Sequence, residues 1–99
     1  MNKVNFEDFL DPPKTNKVDI RIQPRNRKYL TTVTGLNQQF DFDKILAHLK
    51  KKCNCNGHVG ADEIFGKVLI LQGDHREKIK KFLIEEEICP KEIISIHGF

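Results

Sequence analysis

Two hydrophobic periods follow one another in this chain, and any fold must bury both. From Val18 the apolar residues alternate strictly, Val18, Ile20 and Ile22 against Asp19, Arg21 and Gln23, the period of a strand with one buried face. After Gly35 the spacing becomes i, i+3, i+4, i+7, i+11 at Phe42, Ile45, Leu46, Leu49 and Cys53, a single stripe along a helix. A one-faced sheet and a one-striped helix bury themselves against each other, so the chain reads as α+β in two layers.

The remaining elements fit that frame. Tyr29 to Thr34 is β-branched and aromatic, and Pro24-Arg25-Asn26-Arg27-Lys28 separates it from the first strand, which predicts a hairpin with a basic tip. Asp41 is placed to cap the first helix, and Lys50, Lys51 and Lys52 sit where the helix dipole favours cations. Asn54, Asn56 and Gly57 end that helix. A short strand near His58 and Val59, a loop over Gly60 to Gly66 and a strong strand from Lys67 to Gln72 make a second hairpin. Asp74 three residues before Glu77 resembles a capping box, opening a helix that buries Ile79, Phe82, Leu83 and Ile88 and closes at Pro90. Ile94 and Ile96 suggest a last strand. The expected fold is an open-faced two-layer sandwich, a five-stranded mixed sheet with both helices on one face and the other face solvated or free to bind.

At 99 residues there is room for one core, taken as a single domain over residues 18–99. Residues 1–17 read as a flexible tail. Its Phe6, Phe9 and Leu10 either dock on a partner, fold back or stay exposed. The longest apolar run, Val68 to Leu71, is far short of a bilayer span, so no membrane partner is expected. Glu7, Asp8 and Asp11 occupy the place where a secretory signal needs its apolar centre, which suggests a cytoplasmic protein, monomeric when free. Three cysteines without that signal are expected as free thiols.

Charge gives the strongest local signal, because Lys plus Arg exceed Asp plus Glu only by 17 to 14 and it is clustering that distinguishes a surface. Arg25, Arg27 and Lys28 put three cations around Asn26 at the hairpin tip. Such a tip either meets phosphates in a groove or is a solvated turn that keeps strand edges from aggregating. Lys50-Lys51-Lys52 forms a second basic group, and Arg76, Lys78, Lys80 and Lys81 a third, tempered by Glu85, Glu86 and Glu87. Cys53 and Cys55 with His58 lack the paired spacing that zinc needs, so no metal is expected. Gly57-His58-Val59-Gly60 matches an RNA-clamping G-x-x-G only by chance, since a strand follows it. No Ser, His or acid pair stands in a catalytic frame, so the chain is expected to be neither an enzyme nor a cofactor protein.

Ile20-Arg21-Ile22-Gln23, Arg25-Asn26-Arg27-Lys28, Leu30-Thr31-Thr32-Val33, Lys50-Lys51-Lys52, Cys55-Asn56-Gly57, Leu71-Gln72-Gly73-Asp74 and His97-Gly98-Phe99 together resemble the eukaryotic translation initiation factor one family, colinearly from about Lys17 to Phe99. The resemblance implies a factor that binds the small ribosomal subunit near the peptidyl site, promotes scanning of messenger RNA and enforces start-codon selection beside other initiation factors. It implies that Arg25, Asn26, Arg27 and Lys28 approach ribosomal RNA and the decoding site, with Lys50, Lys51 and Lys52 as a second footing or a surface for partner factors. Asp62, Glu63, Ile64 and Phe65 correspond to the family segment that hinders seating of initiator transfer RNA. The other reading of that loop tucks its apolar residues onto the sheet. The tip departs from the family in being one residue shorter, and Pro24, Cys53 and Ile70 replace the family's usual Gln, aromatic and polar residues. A free-standing RNA-binding module or a protein-interaction adaptor using the open sheet face remains the alternative, with Tyr29 nearly alone as a stacking aromatic.

Overall fold

A computed structural model describes residues 17–98. The tail expected over residues 1–17 lies, but for Lys17, outside the described residues, as does Phe99. Strands β1 (Val18–Arg25) and β2 (Lys28–Thr34) form the first hairpin, helix α1 (Phe42–Cys53) follows, and β3 (Gly57–Asp62) and β4 (Gly66–Gln72) form the second hairpin. Helix α2 (Arg76–Glu85), a 3-10 turn over Lys91–Ile93 and β5 (Ile94–His97) complete the order. The sheet runs β3-β4-β2-β1-β5, antiparallel except that β5 lies parallel to β1. The sheet is mixed and five-stranded, as expected.

Both helices cover one face. Ile20 pairs with Val33, Val33 with Leu69, Ile22 with Thr31 and Thr31 with Leu71, so these side chains share a face under the two-residue period of strands. All of them are buried, and Ile20, Val33, Leu69 and Leu71 pack with Leu49, Ile79 and Leu83 from the helices. The stripe read from the sequence, Phe42, Ile45, Leu46, Leu49 and Cys53, is the buried stripe of α1. The Asp41 carboxylate accepts the Lys44 amide, and Asn54 ends the helix in left-handed geometry (φ 52°) while the Asn54 and Cys55 amides close onto the Lys51 and Lys50 carbonyls. None of the described helices is long and apolar enough to cross a membrane.

Four local expectations differ from the structure. The strands of the first hairpin continue to Arg25 and from Lys28, leaving only Asn26 and Arg27 as the turn. The second hairpin is longer than the sequence suggests: β3 reaches Asp62, and its turn is only Glu63-Ile64-Phe65. Ala61 and Gly60 look like loop residues but pair with Lys67 and Val68, because a neighbouring strand supplies hydrogen bonds regardless of propensity. Asp74 does not cap α2. His75 takes the cap position with no side-chain bond, and Asp74 grips the Arg76 guanidinium with both oxygens, each at 2.8 Å, besides accepting the Arg76 backbone amide at 3.4 Å, the bidentate charged pairing being the stronger of the two. Lastly, Pro90 does not stop α2. The helix ends at Glu85, and Glu87 turns left-handed (φ 55°) so that its amide reaches the Ile84 carbonyl and the Ile88 amide reaches that of Leu83, a Schellman closure.

Candidate nucleic-acid interface

The first hairpin projects because its partners stop short of it. β2 pairs with β4 only from Leu30, opposite Gln72, and the Gly73 amide makes the last tie, 2.8 Å to the Tyr29 carbonyl. Beyond that point Arg25 and Lys28 pair with each other, and Asn26 turns the chain with a positive φ of 60°, which asparagine tolerates better than most residues. Arg25, Asn26, Arg27 and Lys28 are all exposed. β1 and β2 are interior strands of the sheet, yet β1 has no outer partner beyond Arg21 and β2 none before Leu30, so cations at their turn stand where the strand edges are open, and both readings of the tip keep a physical reason. The tip is a solvated cluster of three positive charges, able to meet phosphate with little desolvation.

Under this overhang lies a notch of about 780 Å³ at the end of the sheet. It is bordered by Arg25, Lys28 and Tyr29 of the first hairpin, by Asn54, Cys55 and Asn56 in the connection from α1 to β3, and by Leu30, Ile70 and Gln72 of the sheet. The floor is fixed by hydrogen bonds. The Gln72 amide binds the Asn56 carbonyl at 2.9 Å. The fully buried Thr31 hydroxyl donates to the Gly73 carbonyl at 2.6 Å and accepts the His75 amide at 3.0 Å. The His75 ring bonds the Gln72 carbonyl at 2.8 Å. Thr31, Asn54 and Asn56 carried no signal as site residues, since their roles arise only when three distant segments converge.

The lysine triplet is split by the 100° that a helix turns at each residue. Lys51 and Lys52 are exposed and border a groove with His48, Phe82 and Glu86, facing α2. Lys50 is half-buried and stands on the notch side, close enough to act on the Cys55 thiol. Burial pushes the Cys55 thiol up, against the opposing pull of the Gln72 backbone, Lys50 and Lys78; burial and the neighbouring Cys55 push Cys53 up as well. These thiols are poor nucleophiles and poor ligands at neutral pH, and among the described residues no group of three or more His, Cys, Asp or Glu is gathered for a metal. In the third basic group Arg76 is engaged by Asp74 and also reaches the His97 carbonyl at 3.2 Å.

The second hairpin turn lies at the opposite end of the sheet. β4 runs antiparallel to β2, so Glu63-Ile64-Phe65 stands roughly 30 Å from the basic tip at about 3.3 Å per residue. The Asp62 carboxylate accepts both the Ile64 and the Phe65 amides at 2.9 Å, which makes it the anchor of the turn. Gly66 follows in left-handed geometry (φ 80°), packed against the Gln38 amide, which binds the Lys67 amide and carbonyl. Glu63 is exposed, Ile64 is 84% exposed and Phe65 40%. Ile64 does not tuck onto the sheet.

The open face offers little for base stacking. Asp19, Arg21, Gln23, Thr32 and Ile70 lie there by register, and the paired positions of that face carry no Phe, Tyr or Trp among the described residues. Ile70 is half-buried, flanked by Gly60, whose missing Cβ would lie 2.8 Å from its Cδ1.

A family model described as Translation initiation factor SUI1 matches residues 14–89. The protein translation factor SUI1 homolog of Oryza sativa subsp. indica is 52% identical over 83 residues, spanning 83% of this chain and 72% of that protein. The protein translation factor SUI1 of Eremothecium gossypii is 42% identical over 104 residues, spanning 99% and 96%. Homolog 2 of Arabidopsis thaliana is 48% identical over 83 residues, spanning 83% and 74%.

Proposed function

Because the chain belongs to the translation initiation factor SUI1 family, and so serves translation initiation, we propose that it does so without catalysis, as a cytoplasmic ligand of the small ribosomal subunit near the peptidyl site. In this reading it promotes scanning of messenger RNA and enforces start-codon selection. The exposed tip Arg25-Asn26-Arg27-Lys28, held out on paired interior strands, carries the proposal. Ribosomal RNA supplies the phosphates that it neutralises, and Lys50 extends the basic surface on the same side. Lys51 and Lys52, turned toward α2, suit a companion initiation factor.

The turn at the far end suits a different task. Glu63 repels the phosphates of initiator transfer RNA, and Ile64 and Phe65 add bulk that must yield before it seats fully. A penalty of only about 1.4 kcal/mol changes seating tenfold, enough to separate correct from incorrect codons. The direct test is affinity for the small subunit across a salt series. Log affinity should fall linearly with log salt, and Arg25→Ala with Arg27→Ala should make the slope shallower by about 2, one for each phosphate no longer neutralised. An unchanged slope in that variant removes the tip from the interface.

A further inference from the structure

We propose that a furrow between α1 and α2 seats a segment of this same chain, Phe6-Glu7-Asp8-Phe9-Leu10-Asp11, which lies outside the described residues. The inference stands apart from the ribosomal reading and needs only the furrow and the chain that leads to it. The first strand begins at Val18, and Val18 lines a small cavity together with Phe40 and Ile88. Phe40 and Ile88 also line the next hollow, of about 250 Å³, with Ile45 and Phe82. His48, Phe82 and Glu86 join that hollow to a third, of about 350 Å³, which ends at Lys51 and Lys52. The furrow thus opens beside the point where the N-terminal residues enter the fold.

Its two walls differ in charge. Lys44, His48, Lys51 and Lys52, all exposed, recur at i, i+4, i+7 and i+8 along α1, one row on a helix. Negative charge stands at Asp41, which caps α1 through the Lys44 amide, and at Glu86 on α2. Between the walls Phe40 and Ile88 are half-buried over the buried Ile45 and Phe82, and the His48 ring stacks with Phe82 at 6.4 Å. The segment complements this surface. Phe6, Phe9 and Leu10 stand at i, i+3 and i+4, the anchor spacing of a helical turn laid in an apolar groove. Glu7, Asp8 and Asp11 are left to meet the lysines of α1.

The tether has the reach. The six residues from Pro12 to Lys17 extend to about 20 Å, while α1 rises only about 15 Å from Phe42 to Lys52. Tethering holds the segment near its groove at an effective concentration on the order of millimolar, an advantage that a second copy lacks. While seated it covers Lys51 and Lys52, so an acidic partner drawn to them must displace it.

The test is NMR on the full chain. The ring protons of Phe6 and Phe9 should show nuclear Overhauser contacts to the methyls of Ile45 and Ile88. Phe6→Ser with Phe9→Ser, changes that spare the described core of Val18 to Ile94, should shift the backbone amides of Lys44, His48 and Ile88 and leave those of Arg27 and Lys28 in place. Glu7→Lys with Asp8→Lys should move the same amides in the same direction. Furrow amides indifferent to both variants overturn the proposal, as do contacts from Phe6 and Phe9 to another face. Contacts that fade on dilution also overturn it, since they give the furrow to a second copy.

Discussion

Single residues carry structural duties that their chemistry hints at only weakly. Thr31 is fully buried in the sheet, and its hydroxyl satisfies two backbone groups of the Gly73–His75 segment. Thr31→Val leaves both unpaired and should cost about 1–3 kcal/mol in chemical denaturation. Thr34 is the converse: its buried hydroxyl has no hydrogen-bond partner among the described residues, so Thr34→Val should be neutral or stabilising in the same measurement. Glu87 holds a left-handed conformation usually left to glycine, just past a helix C-terminus that disfavours negative charge. Glu87→Gly relieves both and should raise stability by about 1 kcal/mol. None of these is legible in the sequence. Threonine in a strand reads as ordinary β propensity, and Glu87 reads as one more acid in a run of three, because a hydroxyl's partner and a residue's φ are set by tertiary neighbours.

At the scale of elements the periodicities are a sound guide and the punctuation is not. The stripe of α1 and the alternation of β1 predict their own buried faces, since burial imposes those periods directly. Pro90, Asp74 and Gly60 mislead for a common reason: each marks what a local segment prefers, while helix ends and strand ends are decided by which neighbour offers a hydrogen bond. The basic tip is visible as a charge cluster, yet the notch beside it is not, being assembled from β2, the α1–β3 connection and the end of β4. The second hairpin shows how an element can mix structural and functional groups. Asp62 anchors the turn, so Asp62→Ala should lower stability by about 1–3 kcal/mol and blunt codon discrimination through a loosened turn. Glu63→Lys leaves the anchor intact and should relax discrimination at unchanged stability, read as initiation at near-cognate codons beside a thermal melt. The connection after α2 adds a pH-sensitive contribution. Burial raises the Cys89 thiol from 9.0 to about 11, so the folded state keeps its proton after the unfolded chain has lost it. Stability from this group is complete below about pH 9 and is lost as pH climbs toward 11. Cys89→Ala should flatten the decline over that window in denaturation curves.

For the molecule as a whole, the sheet separates two kinds of surface. The basic tip, Lys50 and the notch occupy one end, and an acidic and apolar turn occupies the other, with β2 and β4 running between them. Under the proposed function the first end holds ribosomal RNA and the second governs transfer RNA. Such a division lets affinity and stringency be tuned separately, because sites more than about 10 Å apart with no shared partner act almost additively. The decisive measurement is a double-mutant cycle on affinity for the small ribosomal subunit, with Arg25→Ala plus Arg27→Ala at the tip and Glu63→Lys at the turn. The tip change should weaken binding tenfold or more, the turn change should leave it within about twofold, and the two effects should add within about 0.5 kcal/mol. A turn variant that loses affinity as severely as the tip variant, or a tip variant that loses none, would contradict the account.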